Sequence, residues 1–124
     1  MHEITIGRIW DTSPSPLVFR VLVDRLWPRG IAKVRAPWDE WIKDAAPSTE
    51  LRQWYGHNPE RFPVFRDRYW QELTAREHQE PLNQLVRRAE TQPLMLLTAT
   101  KETEWSHLPI LRDFLREIGH DHRN

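Results

Sequence analysis

Asp24 and Arg25 stand directly after the β-type apolar run Val21-Leu22-Val23, and Trp27, Pro28, Arg29 and Gly30 follow close behind. In open α/β folds ligands sit just beyond the carboxyl ends of strands, where side chains project free of the sheet. Two arginines and one carboxylate at such a point suit an anion. Arg25 or Arg29 can grip a phosphate or carboxylate through paired N–H donors, and Asp24 can orient an arginine or take a proton. Trp27 offers a face on which a base could stack, and Gly30 is free to take positive φ. Much later in the chain His107 falls at the expected start of a helix, where the macrodipole lowers an imidazole pKa and favours the proton-accepting neutral form. Asp24 and His107 are the candidate catalytic residues, and Arg25, Trp27, Arg29, Lys43, Thr98 and Lys101 the candidate substrate-binding ones.

Each of these has a plainer reading. Asp24 can pair with Arg25 or a helix-borne arginine and merely staple the loop, and a histidine at a helix start is commonly a surface or structural residue. Lys43, Asp44, Ser48 and His57 surround an expected turn between short helices. Lys43 and Asp44 could project into a cleft and His57 could cap it, although caps and surface ion pairs account for each singly. Ser48 lacks the Gly-x-Ser-x-Gly elbow of a serine hydrolase. Arg66 and Tyr69, one helical turn apart, read as a solvated face, and His120 and His122 as part of a frayed tail rather than a metal site. No P-loop, GxGxxG or metalloprotease motif occurs, so neither a metal nor a cofactor is expected.

The elements that must position these residues follow from periodicity. Glu3–Trp10 alternates polar and apolar residues like a strand with one wet face, and Asp11–Pro16 reads as a turn. Leu17–Val23 is a second strand whose last residues are apolar enough for burial on both faces. Arg25–Pro37 reads as a long irregular loop, a length often associated with function. A short helix is expected over Trp38–Ala45, with Trp38, Trp41 and Ile42 on one stripe. The next is capped by Ser48, faces Leu51, Trp54 and Tyr55 inward and ends at Gly56. Asn58 caps a third, with Pro59 at its first position and Phe62, Phe65, Tyr69 and Leu73 as its apolar face. Pro81–Ala89 and Glu104–Ile118 follow, the latter capped by Ser106 and terminated by Gly119.

Between them, Leu94–Thr100 has the continuous apolar character of a buried central strand. Strands divided by helices imply parallel pairing with right-handed crossovers. The expected fold is therefore a single α/β domain over residues 1–124: a small open, mainly parallel sheet of three or four strands flanked by helices, with 119–124 frayed. If Leu17–Val23 and Leu94–Ala99 are parallel neighbours, the Asp24–Gly30 and Thr98–His107 loops face one another. Asp24, Arg25, Arg29 and His107 would then line one concave surface.

Composition narrows the function classes. The chain has 124 residues, with Lys+Arg and Asp+Glu each 18. A formal charge of zero argues against a general nucleic-acid coat. The excess is local: from Arg20 to Arg35, Arg20, Arg25, Arg29, Lys33 and Arg35 face the single acid Asp24. Cysteine is absent, which excludes a disulfide, a thiolate nucleophile and a Cys-ligated zinc. No apolar run is long enough to cross a bilayer, and Met1-His2-Glu3-Ile4 lacks the features of a signal peptide. The expectation is a cytoplasmic protein with no membrane partner. The tryptophans Trp27, Trp38, Trp41 and Trp54 fall close together and read mostly as core or rim packing.

Three blocks carry a resemblance. Val23-Asp24-Arg25-Leu26-Trp27-Pro28-Arg29-Gly30, Trp41-Ile42-Lys43-Asp44-Ala45-Ala46-Pro47-Ser48 and Leu51-Arg52-Gln53-Trp54-Tyr55-Gly56-His57-Asn58-Pro59 occur here in order. In this order and spacing they resemble the YeaO-like family of small bacterial proteins, a family of unknown function. The resemblance runs from about Val21 through the closing helix and continues, with departures, in Leu96-Leu97-Thr98-Ala99-Thr100-Lys101 and at His107. It implies a small cytoplasmic α/β protein and brings no established reaction, cofactor or partner. The wider superfamily is similar in placing a cysteine at the end of this strand and a Cys-His pair at the next helix start. Thr98 and Ser106 stand at those positions and only His107 remains, so no thiol or thiolate–metal role carries over.

Two functional readings result. One is an enzyme on a small anionic or nucleotide-like substrate, with Asp24 or His107 moving a proton. The other is a non-catalytic binding or regulatory module for a phosphorylated ligand or a nucleic-acid end. Neutral net charge favours a small anionic ligand over nucleic acid as the partner, and the sequence sets no oligomeric state.

Overall fold

The structure, a computed structural model, describes residues 1–11 and 15–121, the side chains of residues 120 and 121 excepted. Four strands, β1 (Ile4–Arg8), β2 (Phe19–Leu22), β3 (Glu40–Trp41) and β4 (Leu94–Thr98), form one sheet in the order β1-β4-β2-β3. All three pairings are parallel, with Ile4 opposite Leu94, Phe19 opposite Leu94 and Val21 opposite Glu40. Four helices follow the expected punctuation: α1 (Thr49–Tyr55), α2 (Phe62–Thr74), α3 (Gln79–Thr91) and α4 (Leu108–Asp121). The small, mainly parallel α/β sheet is thus the observed fold, and the central position of β4 explains its unbroken apolar run.

The caps are where the residue types put them. The Ser48 hydroxyl accepts from the Leu51 amide at 3.1 Å, and Gly56 ends α1 in the left-handed region at φ 53°. The Asn58 side chain accepts from the Glu60 amide at 3.1 Å and opens a 3₁₀ turn, Pro59–Arg61, that runs into α2. Phe65, Tyr69 and Leu73 of α2 are buried, as are Leu82, Leu85 and Val86 of α3.

The two faces of the sheet are covered differently. Ile4, Val21, Leu94 and Leu96 pack against the apolar stripes of all four helices in the larger core. On the other face Leu22, Leu97 and Ile9 meet no helix. A layer built on Trp38, with Trp27, Ile31 and Trp41 against it, covers them instead. Trp27 packs edge-on against Trp38 at 4.9 Å and Trp41 at 5.4 Å between ring centroids. The helices therefore flank one face only, and the long loop after β2 is the second layer.

That layer corrects the expected helix over Trp38–Ala45. Asp39 and Ile42 donate their amides to the carbonyls of Arg20 and Leu22 at 2.8 and 3.0 Å, which adds β3 to the edge of β2. Trp41 then enters the tryptophan layer while Ile42 enters the helical core, the alternation of a strand. Lys43–Ala45 is one 3₁₀ turn. The spacing of Trp38, Trp41 and Ile42 imitates a helical stripe, but the two faces it serves lie on opposite sides of the sheet.

Gly119 also departs from expectation. It lies inside α4, and the Met1 thioether occupies the space beside it, with Sδ 2.7 Å from where a Cβ would stand. Its small size admits that close approach. Residues 119–121 are accordingly helical in backbone rather than frayed, and 122–124 with His122 lie outside the described residues, as does the His120 side chain.

Phe65 stacks on Tyr55 at 4.0 Å with 7° between the rings and is 2% exposed. Trp54 is only half-buried, with the guanidinium groups of Arg61 and Arg68 over its ring. Phe65→Ala should cost about 3–5 kcal/mol, and Trp54→Ala below about 2 kcal/mol. Urea unfolding of the two variants checks the ranking, and equal losses would contradict the placement of Trp54 at the rim.

Candidate functional site

The chain leaves β2 at Val23, whose amide still donates to the Leu97 carbonyl at 2.9 Å, and the next side chain is the Asp24 carboxylate. One Asp24 oxygen accepts from the Thr98 hydroxyl at 2.7 Å and the other from the Ala99 amide at 2.8 Å. The Thr98 hydroxyl in turn accepts from the Thr100 amide at 3.1 Å. The Asp24 backbone carbonyl takes the Trp41 indole N–H at 2.6 Å. One residue thereby joins the ends of β2 and β4 and the edge at β3.

His107 arrives from the opposite side, at the start of α4. The Ser106 hydroxyl accepts from the Leu108 amide at 3.1 Å and donates to the Thr103 carbonyl at 2.6 Å, fixing the entry to the helix. The His107 Nε2–H donates to the Val23 carbonyl, which sets the Nε2-protonated tautomer, and Asp24 Oδ1 lies 3.6 Å from the same nitrogen. The imidazole is 9% exposed and meets the Tyr69 ring edge-on at 6.0 Å. Its pKa lies below the usual histidine value. Burial is the main cause, opposed by the Asp24 carboxylate and the Val23 carbonyl and reinforced by nearby His57.

Arg25 reaches the segment that leads into α1. Its Nε donates to the Pro47 carbonyl at 3.0 Å and one Nη to the Ala46 carbonyl at 2.9 Å, while Asp44 lies at 4.0 Å from the other. Tyr69, wholly buried, donates its hydroxyl to the Ala45 carbonyl at 2.5 Å, and burial raises its pKa well above the ordinary value. The segment Ala45-Ala46-Pro47 is thus pinned by two side chains from different elements.

Between these groups lies a cleft of about 210 Å³ at the carboxyl edge of the sheet. Asp24, Arg25, Trp27 and His107 line it, so the facing loops do bring residues from both sequence segments together. Arg29 does not line it and is exposed: Trp27 folds back, donating its indole N–H to the Ile31 carbonyl at 2.6 Å, and the chain turns away through Gly30 at φ 80°. Lys43 is exposed, its ammonium 5.7 Å from the Trp41 ring on the far side of β3. Thr98 is fully buried behind Asp24, and Lys101 lies in an adjoining cavity.

Sequence reasoning passed over Arg52, Tyr55 and Phe65, which also line the cleft. Tyr55 and Phe65 were read only as core. Arg52 precedes Tyr55 by three positions on α1, the spacing that puts both on neighbouring flanks of the helix, and that was the available signal. Arg25 and Arg52 set two permanent positive charges against the single Asp24 carboxylate on the cleft wall.

Fold and site define a small parallel α/β protein with a basic, aromatic-lined cleft at its strand ends. Residues 3–123 match the family described as the inactive DUF488-N3 subclade, and the chain belongs to it. It is similar to the uncharacterized protein YeaO of Escherichia coli K12, 40% identical over 94% of this chain and 99% of that one. It is also similar to the uncharacterized protein Rv3073c of Mycobacterium tuberculosis H37Rv, 39% identical over 91% of this chain and 93% of that one. No solved structure matches it. Among the described residues no helix is long and apolar enough to cross a membrane.

Because the folded His107 holds its proton less tightly than the unfolded residue, its contribution to stability is fully present above the unfolded pKa of about 6.5. It is lost as pH falls towards the lower folded value. Stability should fall below about pH 6.5 by up to about 1.4 kcal/mol per pH unit for this one proton. His107→Gln keeps an N–H donor for Val23 and should flatten that part of the curve. Denaturant titrations at several pH values check this, and an unchanged slope in the variant would exclude His107 as its source.

Proposed function

We propose that the protein is a non-catalytic binding module whose strand-end cleft takes a small anionic ligand, phosphate-bearing in its simplest form. The observation that carries the reading is the division of labour around Asp24 and Arg25. Both Asp24 oxygens already accept protein hydrogen bonds, and the His107 Nε2–H is given to a backbone carbonyl. These two groups thereby hold the strand ends and the helix start together.

The cations are placed differently. Arg25 donates to two neutral carbonyls, and among the described residues the carboxylate within ion-pair range of it, Asp44, is 65% exposed and at 4.0 Å. Such a contact neutralises little charge. With Arg52 beside it, the cleft wall keeps a positive excess suited to an anion. The family description as inactive supports binding over catalysis, as do threonine and serine at the two positions where the wider superfamily is similar in carrying cysteines.

A ligand raises the melting temperature only as far as it binds the folded state. Arg52 is exposed, so Arg52→Ala should melt with the parent in anion-free buffer and lose most of the stabilisation by phosphate or sulfate. Arg25→Ala should melt early in every buffer, since it releases the Ala46 and Pro47 carbonyls. Arg29→Ala, outside the cleft, should keep the anion response. Melts across a phosphate and sulfate series check all three, and an intact response in Arg52→Ala would overturn the anion site.

A further inference from the structure

The cleft has a neighbouring cavity. His57 and Thr100 line it and also line a second cavity of about 300 Å³ beside Lys101, Glu102 and Trp105. At about 210 Å³ the cleft alone falls short of the roughly 300–1,000 Å³ usual for small-molecule sites. The two spaces taken together fall within that range.

The junction carries an unusual backbone. His57 has φ 58° and is the one non-glycine residue at positive φ among the described residues. A side chain with a Cβ is disfavoured there, although histidine tolerates it better than most. Gly56, itself left-handed, already supplies what is needed to end α1. The second left-handed residue completes the turn that follows, in which the Asn58 amide donates to the Tyr55 carbonyl at 3.0 Å across Gly56 and His57. The turn leaves the His57 ring 6.5 Å from that of Tyr55, and His57 lines both cavities.

The second cavity has its own chemistry. Lys101 and Glu102 offset one another in charge, so it is not another anion pocket. Trp105 dominates it: the indole is 42% exposed, yet its ring is held edge-on by Phe62 at 5.4 Å and its carbonyl takes the Tyr55 hydroxyl at 2.6 Å. A fixed, exposed indole is a stacking surface for a flat ring. Lys101 and Glu102 beside it offer one donor and one acceptor for the polar edge of that ring.

We propose that His57 clamps a two-part ligand of nucleoside-monophosphate chemistry. The phosphate lies at Arg25 and Arg52, the base on Trp105, and the sugar passes beneath the His57 ring. This rests on the anion-binding reading of the cleft and extends it to the ligand class.

The test compares inorganic phosphate with adenosine 5′-monophosphate on the full chain, by melting temperature and tryptophan fluorescence. The nucleotide should bind at least about ten-fold more tightly than phosphate, a difference of about 1.4 kcal/mol. In His57→Gly, and in His57→Asn, which also tolerates the left-handed region, the ratio of the two affinities should collapse towards one. Trp105→Leu should do the same. The His57→Gly protein should melt no earlier than the parent, because the strained conformation is relieved.

Three results would overturn the proposal. Nucleotide binding no tighter than phosphate in the parent removes the nucleotide and leaves the anion site standing. A ratio that survives in both His57 variants removes the clamp. Absence of any phosphate binding removes the anion reading itself, and this inference with it.

Discussion

The Asp24 carboxylate is the contact on which the functional edge of the molecule depends. Parallel strands end with backbone groups that no further ladder satisfies, and β2 and β4 end side by side in this sheet. Asp24 takes the first free amide after β4 and the Thr98 hydroxyl beside it, while its own carbonyl takes the Trp41 indole. The Val23 carbonyl just before it is satisfied by His107. Strand ends, tryptophan layer and α4 are thus tied at two adjacent residues, Val23 and Asp24. Removing the Asp24 carboxylate would leave the Thr98 hydroxyl and the Ala99 amide without their acceptor, a loss beyond that of a surface ion pair.

The same arrangement separates the groups that hold the strand ends together from those that form the cleft walls. Both Asp24 oxygens accept protein hydrogen bonds and the His107 Nε2–H is given to a carbonyl, so both groups stabilise the floor of the cleft. The cleft walls carry charge at Arg25 and Arg52 and apolar surface at Tyr55 and Phe65.

Much of the molecule was legible residue by residue. Ser48, Gly56 and Asn58 act through bonds to amides two or three residues away or through their own φ, and such local physics needs no partner from elsewhere. The continuous apolar run of β4 likewise declared its central position. The failures share one cause. Trp38, Trp41 and Ile42 have helical spacing, and only the neighbouring β2 backbone makes the segment a strand edge with two buried sides. Gly119 looks like a terminator until Met1, from the far end of the chain, is seen to occupy the space beside it.

The same division holds at the cleft. Sequence alone determined that a basic, tryptophan-bearing loop follows β2, that His107 enters at a helix start and that parallel strands would bring the two segments to one edge. Tertiary structure decided which cations face the cleft. Arg29 and Arg25 are equivalent as residues, but the Trp27–Ile31 bond and the turn at Gly30 carry Arg29 into solvent, while the Ala46 and Pro47 carbonyls draw Arg25 inward. Arg52 arrives from α1, distant in sequence. Hydrogen bonds to backbone carbonyls are set by where the chain passes, not by which side chain makes them, so no pattern of residue types announces them.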